Sequence, residues 1–233
     1  MKNVSACIFG ITTACTAFAL PVMPILRWEV STDGGVRWAN NATLIQPGAV
    51  QVRAQLSWTE TPTGPTSLGL ASCQFDGVLN GLISSDIVSD ILILNSFPGE
   101  PQTLAFTNYG VTGKIDDVND TAYPNSGVLW CKTGQAPPQL LGPLFNSNNP
   151  ITVMTYTFHI TGEDRRVSLG AILNGSANSA ARVYLTEAGS TTNGGQFRRS
   201  EVIVETALVE TVPAPASISL ISAASILASR RRR

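Results

Sequence analysis

The chain has 233 residues, with 15 lysines and arginines, 16 aspartates and glutamates and one histidine, which gives a formal net charge of −1. This balance is uneven: without Lys2 and the four arginines at 230–233, 10 basic residues stand against 16 acidic ones, a net charge of −6. An acidic body lacks the clustered Lys and Arg of nucleic-acid-binding proteins, and a single histidine excludes histidine metal clusters.

The first predicted unit, residues 1–19, has the features of a secretory signal peptide. Lys2 is followed by an uncharged, largely apolar stretch that ends in Ala17-Phe18-Ala19. A basic start, an apolar run and small residues at this spacing are what signal peptidase recognises. We therefore expect export and cleavage after residue 19. The alternative, lipoprotein processing at Cys15, requires an apolar residue where Thr12 stands.

Residues 20–211 are predicted to form one β-rich domain. In 50–58 apolar and polar residues alternate, which is the period of a strand with one buried face. In 151–160 the even-numbered residues share one face, and the odd-numbered residues form a less cleanly polar one. Residues 87–94 fit either a short helix capped by Ser85-Asp86 or a strand. Further strands are predicted at 27–31, 36–38, 68–79, 166–173, 181–187 and 201–209.

Turn residues separate these strands. Thr32-Asp33-Gly34-Gly35 predicts a hairpin, and Asn174-Gly175 and 193–195 supply the positive φ angles of tight turns. Residues 134–150 contain four prolines and predict a long irregular loop. Short strands without intervening long amphipathic helices predict an all-β fold, an antiparallel β-sandwich or a jelly roll.

Two cysteines, Cys73 and Cys131, remain once the signal peptide is removed. In an oxidising compartment they could form a disulfide, which would close a long loop and stabilise the fold by about 4 kcal/mol. Two buried thiols are the alternative.

Residues with catalytic or metal-binding potential are few. Any Ser-His-Asp triad or Cys-His pair would have to use His159, whose position within a predicted strand suits a surface or interface residue. Asp116, Asp117, Asn119 and Asp120 are a weak Ca²⁺ candidate, because their spacing departs from the EF-hand pattern and a solvated turn explains them as well. No cofactor is predicted.

Two sets of side chains could contact sugars. Tryptophans can stack on sugar rings, although at these positions they fit the core as well, and paired arginines can contact acidic polysaccharide, although they also fit solvated strand ends. The residues are Trp28, Trp38, Trp58 and Trp130, with Arg165-Arg166 and Arg198-Arg199.

The third predicted unit, residues 212–233, has the features of a membrane-directed tail. Val212-Pro213-Ala214-Pro215 precedes 14 uncharged residues at 216–229, and Arg230, Arg231, Arg232 and Arg233 follow. A helix needs about 20 residues to cross the hydrocarbon core, so the apolar segment is short. The arginines favour the cytoplasmic side. The order predicts a short hydrophobic helix that enters a membrane and can then be processed.

This tail resembles the PEP-CTERM sorting signal of exported bacterial proteins. The resemblance covers 212–233 and rests on the proline motif, the short hydrophobic segment and the arginine-rich end, with Ala214 where the family motif has Glu. It implies that an exosortase, a membrane cysteine transpeptidase or protease, removes the tail near the motif, and that the protein belongs to the bacterial cell envelope or extracellular matrix. A plain tail anchor is the alternative.

Three functions are compatible with the sequence. The first is a non-enzymatic surface or matrix protein that contacts polysaccharide or other surface proteins. The second is a binding module similar in architecture to cohesin-like or carbohydrate-binding sandwiches, held by a plain membrane anchor. The third is a glycoside hydrolase, which would bring two carboxylates to about 5–9 Å across a cleft. We expect the first.

Overall fold

The fold is known from a computed structural model that describes residues 23–58, 69–93, 104–117, 149–173, 180–184 and 196–213. These residues form fourteen strands and one 3-10 turn, Arg199–Glu201. The strands are β1 (Ile25–Ser31), β2 (Asn41–Leu44), β3 (Gly48–Ser57), β4 (Gly69–Cys73), β5 (Phe75–Asn80), β6 (Ile87–Ile93), β7 (Leu104–Asn108), β8 (Thr112–Asp117), β9 (Ile151–Ile160), β10 (Arg165–Leu173), β11 (Ala181–Tyr184), β12 (Gln196–Phe197), β13 (Ile203–Glu205) and β14 (Ala207–Thr211).

The strands form two main sheets. The five-stranded sheet has the order β13-β1-β3-β9-β6, and the six-stranded sheet has the order β2-β14-β10-β5-β8-β7. A smaller sheet, β12-β11-β4, continues the β5–β10 pair, since Leu173 pairs with Phe75 and Ala181 pairs with Cys73. The predicted all-β sandwich is confirmed. It departs from a purely antiparallel one because β1–β13 and β14–β2 pair in parallel.

The hydrophobic core lies between the two main sheets. Trp28 of β1 is fully buried, and its ring meets the Phe75 ring of the opposite sheet edge-on, with centroids 6.1 Å apart. Tyr156 of β9 packs on the same indole at 6.0 Å. The rows of apolar residues needed for this contact come from alternation along the strands. In β3 the predicted alternation is confirmed, since Val50, Val52, Ala54, Leu56 and Trp58 are all buried.

The predicted faces of β9 are wrong at one end. From Met154 to Ile160 the even-numbered residues are buried as expected, but Ile151 and Val153 are buried as well and Thr152 is not. The cause is a β-bulge, because Ala54 pairs with Met154 while its neighbour Gln55 pairs with Thr152. The extra residue on β9 shifts the alternation by one position, which periodicity alone does not reveal.

Residues 201–209 do not form the single predicted strand. They contain the end of the 3-10 turn, then β13, and then most of β14, with Thr206 between the two strands. β13 pairs with β1 in the five-stranded sheet, whereas β14 pairs with β10 in the six-stranded sheet. The chain therefore crosses the sandwich at Thr206.

The predicted strand 27–31 is part of β1, but the predicted hairpin with 36–38 is wrong, because a wide loop takes its place. Only Val30 and Ala39 pair across it. The Asp33 carboxylate accepts hydrogen bonds from the backbone N–H groups of Val36 and Arg37, at 3.1 and 2.9 Å. Because those amides are bonded locally, 36–38 do not form a strand.

The strands predicted in the remaining segments are present in the structure. Residues 87–94 adopt the strand alternative as β6, and 68–79 contain two strands, β4 and β5. The predictions at 166–173 and 181–187 correspond to β10 and β11, the latter as far as Tyr184. β2, β7, β8 and β12 are not predicted by the apolar pattern.

Several predictions lie outside the described residues. These are the signal peptide, Cys131, Trp130, the turns at 174–175 and 193–195, most of the loop 134–150, and the chain beyond Pro213. Within the described part, no helix is long and apolar enough to cross a membrane.

Candidate functional site: the outer face of the five-stranded sheet

The candidate site is the face of the five-stranded sheet that points away from the core, called here the outer face. Its middle consists of β3, β9 and β6, whose outward side chains are mostly uncharged and able to form hydrogen bonds. They are Gln51, Arg53 and Gln55 of β3, Thr152, Thr155, Thr157 and His159 of β9, and Ile87, Ser89 and Leu92 of β6.

Cross-strand pairing places these side chains in rows. Gln51, Thr157 and Ser89 are neighbours in one row, and Arg53, Thr155 and Leu92 are neighbours in the next. Directly paired residues on one face have Cβ atoms about 4.5–5.5 Å apart. The result is a broad surface of polar rows with exposed Leu92 at its edge.

Two β-bulges, one in β9 and one in β6, determine which side chains of these strands lie on the outer face. The bulge in β9 turns Thr152 outward beside Gln55, whose side-chain amide donates to the Thr152 hydroxyl at 3.2 Å. In β6 the pairing jumps between Ser89 and Leu92, and Asp90 has a positive φ of 54°. A bulge on an edge strand also interrupts the regular ladder on which a further strand could pair.

Ion pairs occupy the other half of the outer face, which runs from β3 across β1 to β13. Arg53 contacts Glu29 of β1 at 2.6 Å, and both side chains are mostly buried. Arg27 contacts Glu205 of β13 at 2.5 Å, with both side chains exposed. The pKa of Arg27 is raised, first by its hydrogen bond to Glu205 and then by the charge of that carboxylate. These pairs neutralise the charges on this half, so that the face carries little net charge.

The loop after β1 folds against this half. The guanidinium of Arg53 lies 4.4 Å from the ring centre of Trp38, which is a cation–π contact. The loop is held by the side chains of Ser31 and Asp33, since the Ser31 hydroxyl donates to Asp33 at 2.8 Å. The pKa of Asp33 is lowered, first by the backbone N–H of Arg37 and then by the Ser31 hydroxyl. Trp38 is thereby fixed as a half-buried wall of the face.

His159 lies on the outer face, as its position within the strand predicted. Its Nε2 is 3.1 Å from the Ser89 hydroxyl, which is the distance of a nucleophile–base pair. In a catalytic triad the carboxylate orients the imidazole from its other nitrogen. Here Asp90 instead accepts a hydrogen bond from Ser89 itself, at 2.9 Å. The described contacts therefore form a surface hydrogen-bond chain without the geometry of a triad.

The weak Ca²⁺ candidate is only partly described. Asp116 and Asp117 are the last two residues of β8 and not part of a turn, while Asn119 and Asp120 lie outside the described residues. The Lys114 ammonium contacts Asp116 at 2.6 Å and Asp76 of β5 at 2.9 Å. Burial alone would lower the pKa of Lys114, but the hydrogen bonds and charges of the two carboxylates raise it. No group of three metal-ligating side chains occurs within the described ranges.

The same three side chains bear on the hydrolase hypothesis. Asp76 and Asp116 are the kind of close carboxylate pair that glycoside hydrolysis requires. However, the Lys114 ammonium lies between them and contacts both, which fills the space that a glycosidic bond would need.

The remaining candidate residues are scattered. Trp28 and Trp58 are core residues, and Cys73 is buried. Val212 and Pro213 follow directly after β14, and the rest of the sorting motif lies beyond the described residues. Arg198 directly precedes the 3-10 turn as its N-cap and is exposed.

Arg165 differs most from the prediction made for it. It is not a solvated strand end: its guanidinium donates to both carboxylate oxygens of fully buried Asp86, at 3.0 and 2.7 Å, and also to the carbonyls of Gly81 and Thr161. Neighbouring Arg166 is exposed and pairs with Glu210. The only sequence signal that Arg165 and Arg166 differ in burial is Asp86, an acidic residue in the loop between β5 and β6.

Comparisons with known proteins find likeness in structure only. No protein-family model matches the chain, and no curated protein matches it. Among solved structures, a cohesin from Acetivibrio cellulolyticus in complex with a dockerin is similar with a TM-score of 0.40 and 11% identity, over 82% of this chain and 99% of that one. A cohesin–dockerin complex from Clostridium thermocellum gives a TM-score of 0.40 and 8% identity, over 83% and 100%.

A non-cellulosomal cohesin from the archaeon Archaeoglobus fulgidus is similar with a TM-score of 0.32 and 12% identity, over 86% of this chain and 97% of that one. At these values the likeness is one of general architecture.

Proposed function

We propose that this chain is an exported, non-enzymatic module that binds another protein through the outer face of its five-stranded sheet. The observation that carries the proposal is the composition of the middle of that face. Gln51, Thr155, Thr157 and Ser89 stand in rows with little net charge, and exposed Leu92 lies at their edge.

The chemistry of these rows suits a protein partner. Amide and hydroxyl groups donate and accept hydrogen bonds, and they cost less to remove from water than charged groups do. The charged residues of the face, such as Arg53 and Glu29, are already paired within the sheet. Ile87 and Leu92, 57% and 54% exposed, supply apolar area at the rim of the rows. Protein interfaces combine such apolar contacts with hydrogen-bonding groups.

Two alternatives have less support. A polysaccharide-binding face would present flat aromatic rings. Of the tryptophans within the described residues, Trp28 and Trp58 are in the core and Trp38 is stacked with Arg53. A hydrolase would need an open carboxylate pair, whereas Asp76 and Asp116 are bridged by a lysine. Two of the cohesins named above, those from Acetivibrio cellulolyticus and Clostridium thermocellum, were solved with dockerins, and a comparable partner for this chain is part of the proposal.

The proposal keeps the membrane-directed role of the tail, on the evidence of the sequence. Residues 216–229 are uncharged and 230–233 are arginines. In this scheme signal peptidase removes 1–19, the tail enters the cell membrane, and an exosortase-like enzyme cuts near 212–215. The sandwich then acts at the cell surface or in the surrounding matrix.

The binding face can be tested by site-specific photocrosslinking in the cells that make the protein. A photoreactive residue at Thr157 lies in the middle of the outer face, and one at Ser168 lies on the outward side of the six-stranded sheet as a matched control. We expect a discrete crosslinked protein from position 157 and none from position 168. Crosslinks to polysaccharide alone, or the same products from both positions, would contradict the proposal.

The tail can be tested separately by intact mass and C-terminal peptide mapping of membrane and extracellular fractions. A mature chain ending near 212–215 is expected. A membrane-bound form that keeps residues 230–233 would mean a plain anchor and would rule out exosortase processing, without affecting the binding face.

A further inference from the structure

One end of the sandwich gathers several loops and the exit of the chain toward its tail. It is called here the exit end and consists of the loops 45–47, 81–86, 109–111 and 161–164, together with Val212 and Pro213. The registers place these segments at one end, because Thr211 pairs with both Arg165 and Leu44, Gly48 pairs with Ile160, and Asn80 pairs with both Ser168 and Thr112.

Hydrogen bonds tie these loops to one another. The backbone N–H of Gly81 donates to the Val111 carbonyl at 2.8 Å, and the Asn108 side chain donates to the Ile83 carbonyl at 2.9 Å. The Asp86–Arg165 pair joins the loop 81–86 to the loop 161–164. The exit end is therefore a braced surface, and its side chains hold defined positions.

Apolar side chains project from this braced surface. Ile45 is 65% exposed, Tyr109 is 67% exposed and Val111 is 71% exposed, and Ile83 is also exposed. They come from three different loops spread across the width of the sandwich. Large apolar side chains at loop tips lose contact with water only when another surface covers them.

The position of the tail indicates what that surface is. Val212 lies at the exit end, where its N–H donates to the Leu44 carbonyl, and the uncharged segment begins at residue 216. Four residues span at most about 14 Å when fully extended. A tail that enters a bilayer therefore holds the exit end within about that distance of the lipid headgroups. Such a tether gives weak contacts a high effective concentration of lipid.

The charges of the exit end indicate which lipid headgroups it can contact without repulsion. Glu163 and Asp164 are exposed there, and Asp86 is neutralised by Arg165. Exposed carboxylates are repelled by anionic lipids. A tyrosine ring, apolar with a polar tip, suits the interface between headgroups and acyl chains.

We propose that the exit end rests on a zwitterionic lipid bilayer through Ile45, Ile83, Tyr109 and Val111, so that the sandwich stands on the membrane before the tail is cut. This inference rests on the proposed membrane role of the tail. It adds an orientation: the axis of the sandwich stands upright, and the outer face of the five-stranded sheet points sideways, open to a partner.

The test uses the chain with its tail, reconstituted into phosphatidylcholine vesicles whose acyl chains carry bromine near the headgroups. Bromine quenches tryptophan fluorescence at short range. Tyr109→Trp reports on the exit end, and Leu92→Trp, on the outer face away from that end, is the matched control. The unsubstituted chain gives the background of the four native tryptophans, and vesicle flotation reports whether the tail is inserted.

We expect both variants to float with the vesicles, and bromine to cause an additional loss of fluorescence for Tyr109→Trp only. Replacing part of the phosphatidylcholine by an anionic lipid should reduce that additional loss. Flotation without additional quenching at position 109 would overturn the docking and leave the tail role intact. Failure to float would overturn the tail role and this proposal together. Equal quenching at both positions would refute the upright orientation.

Discussion

The buried Asp86–Arg165 ion pair gives the sharpest prediction about stability. Asp86 is fully buried and accepts hydrogen bonds from Arg165, from the backbone N–H groups of Ile83 and Thr161, and from the Thr161 hydroxyl. Asp86→Asn removes the charge and places an amide N–H₂ where an oxygen accepts hydrogen bonds. Arg165 is left buried without its counter-charge.

The expected loss follows from breaking one half of a buried pair, which typically costs about 3–5 kcal/mol. That is a large part of the roughly 5–15 kcal/mol by which folded domains are stable. With a urea m-value of about 2 kcal/mol/M, the unfolding midpoint should fall by about 1.5–2.5 M. Glu210→Gln is the matched control, because it breaks the ion pair with Arg166, which is exposed and directly follows Arg165 on β10. It should cost less than about 1 kcal/mol.

The pH dependence has a definite sign. Burial by itself would raise the pKa of Asp86, but the hydrogen bonds from Arg165, Thr161 and Ile83 lower it overall. A lowered pKa in the folded state contributes stability above the unfolded value of about 3.9, and this contribution is lost as the pH falls through the folded value. Below about pH 4 the unsubstituted protein should therefore lose stability more steeply than Asp86→Asn.

The assay is urea unfolding followed by tryptophan fluorescence between pH 3 and pH 7. A double-mutant cycle with Arg165→Met isolates the coupling between the two side chains. A loss below about 1 kcal/mol for Asp86→Asn, or additive losses in the double variant, would refute the ion pair as the brace of the exit end.

Three further predictions concern single positions. Gly81→Ala should destabilise the protein more than Gly110→Ala in urea unfolding. Both glycines have a positive φ, but a Cβ at position 81 would meet the backbone carbonyl of Arg166 in β10, whereas one at position 110 would meet open space. Equal losses would contradict this. Tyr156→Phe should leave the unfolding free energy unchanged or raise it by up to about 1 kcal/mol, because the buried hydroxyl makes no hydrogen bond to the part of the chain that the structure describes. A clear loss would mean that the hydroxyl has a partner. Gln51→Arg, directly opposite position 157 on β3, should change stability by less than about 0.5 kcal/mol while abolishing the photocrosslink from position 157, and unaltered crosslinking would place the partner elsewhere.

Part of this protein follows from sequence alone. The alternation in 50–58 identifies β3 and its buried face, since residues of a strand project alternately to its two sides. The apolar run at 87–94 limits β6 to two possibilities, and the lack of long amphipathic segments predicts an all-β fold. The features of 1–19 and 212–233 are likewise properties of sequence, and the predictions drawn from them stand as predictions.

Tertiary pairing decided the rest. The bulge at Val153 exists because β9 must match β3 and fit the core together, and this turned Thr152 onto the outer face. Thr206 became a crossing point because the residues on either side pair with different sheets. Arg165 and Arg166 are adjacent residues of the same type, yet Arg165 is buried against Asp86 and Arg166 is exposed beside Glu210. Local pattern specifies which residues can be buried, but partners distant in the chain determine which of them are, because burial requires a second surface that the segment itself does not contain.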